Sequence, residues 1–300
     1  MYTILGIGEL LWDMLPAGPQ LGGAPANYTV MAGRLGNHAT IISRIGRDEL
    51  GEKALEVLKP FPVDCSQLQV DPEQPTGRVT VTLDDGQPSY TIHHPVAWDC
   101  FELTEDWLAA ATGADAVCFG ALAQRSALSR KTIQALVAAT RPDCKRIFDV
   151  NLRSPYYTAE TVRESLELAT VFKMNDLEVP LVLALLELPA VGSLREGAER
   201  ILVEFPSLTL VAITCGGEGS LLVGRTEWHE HPGIKIQVAD TIGAGDAFTA
   251  AMTHYLLRGA PLNVLNEAGN RWGSFVASQS GAMPPIDAET MQRITAEIQW

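Results

Sequence analysis

Short apolar runs recur along the chain, separated by stretches in which apolar residues return at helical spacing. YTILGIG, ATIISRIG, DAVCFG, KRIFDVN, TVFKMN and LTLVAITCGG read as buried strands. APANYTVMAGRLG reads as a helix closed by Gly36, and SRKTIQALVAAT and SLREGAERILVEF carry further helical patterns. This alternation predicts an α/β fold, a largely parallel sheet with helices on both faces.

The region from Cys65 to His94 has a different rhythm. GRVTVTLDDGQPSYTIHH is a pair of β-rich runs around DDGQPS, a hairpin signal. A hairpin inside a βαβ series tends to protrude, so it is read as a small β lid of approximately residues 65–98 plus part of 10–22. SLLVGRTEWHEHPG reads as an antiparallel pair at the sheet edge. With no internal repeat and no low-complexity linker, residues 1–300 are expected to form one domain.

Composition narrows the partners. At 46% apolar and 19% charged residues, the chain can bury a sizeable core. A net charge of −14 repels nucleic acid and anionic membranes, so neither is expected as a partner. A phosphate ligand stays open, because local amides and a metal would hold it. The five cysteines contain no C-x-x-C pair, which argues against a zinc site and for reduced thiols in a cytoplasmic protein. MYTILGIGELLWDMLP lacks a basic start and carries Glu9, unlike a signal peptide. VPLVLALLELPAVG is interrupted by Glu187 and too short to span a bilayer.

DTIGAGDAFTAA carries the sharpest chemistry. Gly243, Ala244 and Gly245 open a helix whose first N–H groups and dipole form an anion hole. Asp246, at the same spot, can accept a proton from an attacking hydroxyl. The same residues equally suit a tight turn with Asp246 as a helix cap. Four other segments carry candidates. TCGGEGS places Thr214, Gly216 and Gly219 at a strand's carboxyl end, where open α/β sheets bind nucleotides, although a plain turn reads as well. NDLE sets Asn175 and Glu178 three apart, suited to ordering Mg²⁺-bound waters or to a capping box. Asp13 beyond the first strand, with Gly22, Gly23 and Asn27 at the first helix, would grip vicinal hydroxyls. FDVNLRSPYY places Asp149, Asn151 and Arg153 at a strand's carboxyl end. His93, His94, His229 and His231 are expected to be exposed strand residues, not metal ligands.

The order of these segments is more specific than any one of them. G-E…D, G-G-A-P-A-N, D-x-N-x-R, N-x-x-E, T-x-G-x-x-G and D-T-x-G-A-G-D resemble, from about Gly6 to Pro285, the PfkB or ribokinase-like sugar kinases. The resemblance implies a doubly wound α/β domain with a small β lid that phosphorylates a sugar hydroxyl from ATP with Mg²⁺. It implies Asp246 as catalytic base and Gly243, Ala244 and Gly245 as the anion hole. Asp13, Gly23 and Asn27 then bind sugar, with Arg153 and Trp98 as further sugar-side candidates. Asn175, Thr214, Gly216, Gly219 and Asn270 fall at nucleotide positions, and Glu178 reaches Mg²⁺ through water. Asp240 and Ile242 match ligands of a K⁺ ion, and the lid is where a homodimer would form.

Ribokinases typically show G-G-K-G-A-N, whereas this chain has Ala24-Pro25, the form of fructokinases. The expected activity is therefore fructose to fructose 6-phosphate. Ribokinase and 2-keto-3-deoxygluconate kinase are the alternatives within the class, and a non-catalytic sugar or nucleotide sensor is the alternative outside it. A Rossmann dehydrogenase is excluded because Gly6 and Gly8 are followed by ELLWD and not by the rest of G-x-G-x-x-G. VAWDCF departs from the family's usual forms, so Trp98 either stacks on the sugar or packs in the lid.

Overall fold

The computed structural model describes residues 1–15, 18–84 and 87–300. The first half runs β1 (Thr3–Ile7), β2 (Leu11–Leu15), β3 (Gly18–Gly22), α1 (Ala24–Arg34), β4 (His38–Gly46), α2 (Glu49–Leu58), β5 (Leu68–Asp71), β6 (Gly77–Asp84) and β7 (Gln87–Ile92). There follow α3 (Glu105–Gly113), β8 (Ala116–Gly120), α4 (Ala127–Ala138), β9 (Lys145–Asp149), α5 (Ala159–Leu168), β10 (Val171–Asn175), α6 (Glu178–Leu185) and α7 (Leu194–Glu204). The chain closes with β11 (Leu210–Thr214), β12 (Ser220–Gly224), β13 (Trp228–His231), α8 (Ala244–Leu256), α9 (Leu262–Ala277) and α10 (Ala288–Glu297).

The larger sheet has nine strands in the order β13-β12-β11-β10-β9-β8-β1-β4-β5. From β11 to β5 the neighbours run parallel, while β12 and β13 turn back antiparallel at one edge. Parallel strands need cover on both faces. Side chains alternate along each strand, so the apolar runs divide into two cores. Leu5, Val117, Phe119, Phe148, Phe172 and Val211 face the helices α3 to α7. Ile4, Ala116, Ile147, Val171 and Leu210 face α1, α8, α9 and α10. At Gly6 a Cβ would overlap Thr29 Oγ1 and the Pro25 carbonyl, so the missing side chain lets α1 lie directly on β1. The result is the doubly wound α/β arrangement.

A second sheet has four strands in the order β3-β2-β6-β7. Leu10, Trp12, Leu21, Ala26, Val30, Ile41, Ala54 and Leu58 form the apolar layer that seats it on α1, β4 and α2. The turn expected at DDGQPS includes Asp85 and Gly86, which lie outside the described residues. One boundary differs from the sequence reading. Leu68–Asp71, expected inside the lid, pairs with β4 at the edge of the large sheet. A buried Arg44–Asp71 ion pair at 2.8 Å holds it there. Among the described residues no helix is long and apolar enough to cross a membrane.

Candidate active site at the carboxyl edge of the sheet

Parallel strands deliver their last residues to one edge. Lys173 on β10 is in register with Asp149 on β9, and Asn175 on β10 with Thr214 on β11. Glu9 follows β1 at the same edge, and two helices start beside it. The cap residue of α8 is Gly243, in the left-handed region at φ 78, and a Cβ there would meet the Ala282 backbone at 2.7 Å. Glycine is therefore required on two counts. Ala244, Gly245 and Asp246 form the first turn, whose leading amides have no acceptor within the helix.

Asp246 does not cap this helix. Its Oδ2 instead accepts a 2.7 Å hydrogen bond from Asn27 Nδ2 on α1. That bond brings the two helix starts together, although the residues are 219 positions apart. Gly23 is the cap residue of α1, and the neighbouring Gly22 faces the Asp13 carboxylate on β2. The Asn27–Asp246 bond, the approach of Gly22 to Asp13 and the charge of Arg153 acting on both Asp13 and Asp246 gather these acids and the helix starts at Gly23 and Gly243 around a candidate cleft at this edge. Asn27 Oδ1 and Glu9 Oε2 are buried there without a hydrogen-bond partner in the protein.

The acids of this cleft hold their protons unusually well. Burial, and then repulsion from Asp149, push the Asp246 carboxyl up to about 6 despite the Asn27 hydrogen bond and the nearby Lys173. Burial raises Glu9 to about 7. It raises Asp13 to about 6 against the pull of Arg153. Several acids shifted together in one cleft mark a functional site more often than a structural one.

Behind the first turn of α8 lies a buried polar relay. Lys173 Nζ donates to Asp149 Oδ1 at 3.1 Å. Thr249 Oγ1 reaches Asp149 Oδ2 at 3.1 Å and the Gly245 carbonyl at 2.9 Å. Burial alone would lower the Lys173 pKa, but the charges of Asp149, Asp246 and Glu178 outweigh it and raise it, so the ammonium stays protonated. Glu178 is also buried, which raises its pKa. Its two oxygens accept from the Asn175 and Leu152 amides at 2.8 and 2.7 Å, while Asn175 Oδ1 accepts from the Glu178 amide. The reciprocal Asn175–Glu178 bonds of the box expected from NDLE are present, although the helix α6 itself begins at Glu178 with Leu177 as its cap residue.

The other expected positions fall as follows. Thr214 ends β11, Gly216 begins an exposed turn, and Gly219 leads into β12. Asp240 accepts from the amides of Ile242 and Gly281 at 3.0 and 3.1 Å, tying together the loops on either side of α8 and α9. Arg153 is exposed at the cleft rim and lowers the pKa of Asp13 and of Asp246. Asn270 is buried on α9, with its amide donating to Ser220 Oγ and the Asn266 carbonyl. It therefore braces β12 against α9.

Two expectations need correction. Trp98, a candidate for stacking on the sugar, is fully enclosed, with the Arg125 guanidinium 3.9 Å above its ring. An aromatic face covered in this way has no surface left for a ligand. His231, expected to be exposed, is buried and paired with Glu267 at 2.8 Å. Lys173 and Thr249 received no role from the sequence. A lysine inside the apolar run TVFKMN is the one sign that could have drawn attention.

A model described as pfkB family carbohydrate kinase matches residues 19–289. The chain belongs to this family. A sugar kinase of Pyrococcus horikoshii is 30% identical over 279 residues, covering 87% of this chain and 85% of that one. The crystal structure of that kinase in complex with ATP matches with a TM-score of 0.83 at 28% identity, over 99% of this chain and 100% of that one. A fructokinase of Klebsiella pneumoniae is 30% identical over 298 residues, covering 93% of this chain and 94% of its own. A fructokinase of Vibrio cholerae, solved in a fructose-, ADP- and calcium-bound form, matches with a TM-score of 0.81 at 25% identity over 100% of this chain and 99% of that chain. This PfkB protein is thus a sugar kinase, a phosphotransferase acting on an alcohol group.

Proposed function

We propose that the chain transfers the γ-phosphoryl group of ATP to the 6-hydroxyl of fructose. The observation that carries the reading is the Asn27–Asp246 hydrogen bond at 2.7 Å, which sets a candidate base against a candidate sugar ligand. In this reading Asp246 takes the proton of the 6-hydroxyl as its oxygen attacks the γ-phosphorus. The bond to the β–γ bridging oxygen breaks, and ADP departs with that electron pair. The amides of Gly243 and Gly245 hold the negative oxygens of the passing phosphoryl group, joined by that of Ala244, which in the structure donates to the Thr241 carbonyl at 3.3 Å. Asp13 and Asn27 orient the sugar hydroxyls, and the smaller sheet serves as a lid that excludes water.

The exposed Gly216 turn beyond β11 gives the nucleotide a backbone to lie against. Mg²⁺, when bound, would neutralise phosphate charge. Among the described residues no cluster of three metal-ligating side chains occurs, and both Glu178 oxygens already accept amide hydrogen bonds. The residues therefore fit a metal carried on the nucleotide, which Glu178 would reach through water. Asp240 and Ile242 remain the proposed K⁺ position.

Fructose is favoured by Ala24-Pro25 in place of the ribokinase Lys-Gly and by the fructokinases among the relatives. A sugar acid is the competing reading, favoured by the exposed Arg153 at the cleft rim, which could pair with a carboxylate. ADP release measured with ATP and Mg²⁺ across fructose, ribose and 2-keto-3-deoxygluconate tests both. The expected result is the highest kcat/KM for fructose. A preference for either competitor would overturn the fructose assignment and leave the phosphoryl-transfer chemistry standing.

A further inference from the structure

The Lys173 ammonium sits where the first turn of α8 has no side chain. A Cβ added to Gly245 would lie 3.1 Å from Nζ, so the ammonium is packed against the Gly245 backbone. Its side chain is 8% exposed, and its direct partner, Asp149, is equally enclosed. An isolated buried pair would simply compensate itself. Here Asp149 is shared, because the Thr249 hydroxyl lies within hydrogen-bond reach of both its second oxygen and the Gly245 carbonyl, with one proton to give between them. The groups facing Asp246 are Glu9 beyond β1, Asn27 on α1, Cys118 on β8, Asp149 on β9, Arg153 on the rim and Lys173 on β10. Acids crowd this edge, and a nucleotide triphosphate would add more negative charge to it. A fixed cation directly under the anion hole offsets that field where it matters most.

We propose that Lys173 is a positioning residue for phosphoryl transfer. Acting through Gly245, it holds a positive charge beneath the amides that receive the transferring group, and Asp149 and Thr249 fix its place. The inference rests on the reading of Gly243–Gly245 as the anion hole and Asp246 as the base.

The test compares Asp149→Asn, which keeps the cation, with the double variant Lys173→Met/Asp149→Asn, which leaves neither charge unpaired. Turnover is read as ADP release with ATP, Mg²⁺ and the sugar preferred by the unmodified protein. Folding is followed by circular dichroism. The expected drop in kcat from the single to the double variant is about 10- to 100-fold. The sugar KM should stay within about threefold, and the double variant should melt no lower than Asp149→Asn, whose buried ammonium has lost its direct partner. Lys173→Met alone should also move the acid limb of the kcat/KM profile upward, because Asp246 then faces Asp149 without the cation. Should that single variant fail to fold, the Asn pair decides by itself. A double variant with the kcat of Asp149→Asn, or a loss found wholly in the sugar KM, overturns the proposal. Failure of the underlying reading looks different: Asp246→Asn would then keep wild-type turnover, and this inference would fall with it.

Discussion

Replacing Asp246 with Asn should disable the enzyme and at the same time stabilise it. The substitution keeps the shape of the side chain and still offers an oxygen to Asn27 Nδ2, now with an amide that can also serve the unpartnered Asn27 Oδ1. An acid whose pKa rises on folding binds its proton more tightly in the folded chain. Ionising it therefore removes stability as pH climbs from the unfolded value of 3.8 through the folded value of about 6, and nothing is removed well below 3.8. That rise corresponds to about 3 kcal/mol at most once the group is fully ionised. Asp246 keeps part of its surface on the cleft, where water softens the penalty, so a gain of about 1–2 kcal/mol at pH 8 is the working figure. For a chain of this size that is a rise of a few degrees in melting temperature. Urea unfolding without nucleotide, at pH 8 and again near pH 4, measures the gain, which should vanish at the lower pH. Turnover of the same variant should fall by about 10²–10⁴-fold. A variant that is less stable at pH 8, or equally stabilised at both pH values, would show that the Asp246 carboxylate is not under strain in the folded protein. Wild-type kcat in the variant would remove it from the chemistry.

Asp13→Ala should raise the sugar KM by tenfold or more with little change in the KM for ATP, since its loss would leave a sugar hydroxyl unpaired; equal effects on both substrates would contradict the assignment. Glu178→Gln should increase the Mg²⁺ concentration needed for half-maximal rate and lower stability by about 1–2 kcal/mol, because one of its amide hydrogen bonds is lost. A Mg²⁺ titration that matches wild type would leave the carboxylate with capping alone. Trp98→Ala should cost about 3–5 kcal/mol of stability without a selective rise in sugar KM, as expected of an enclosed ring beneath Arg125. A folded variant with a specific sugar defect would return Trp98 to the binding site.

Much of this protein follows from local pattern. Alternating apolar runs and helical periods suffice for a parallel sheet covered on both faces, because a strand buried on two sides must be apolar along its length. The segment DTIGAGDAF also declares itself as a glycine-rich helix start, while the contact of Gly243 with the Ala282 backbone comes from the fold. Tertiary structure decided what depends on distant partners. Whether Asp246 caps a helix or meets Asn27 is settled by where α1 lands, 219 residues earlier in the chain. Trp98 is spelled like a ligand-stacking aromatic, yet its face is closed by Arg125 from a different segment. Leu68–Asp71 reads as lid and joins the large sheet because Arg44 on β4 offers Asp71 a buried ion pair. Lys173 shows the limit most clearly. In sequence it is a charge that interrupts a strand, and it gains meaning only when strand register sets it beside Asp149 and the fold lays Gly245 over its ammonium. Burial and charge proximity are properties of the assembled chain, so the shifted acids and the cation beneath them could be read only from the fold.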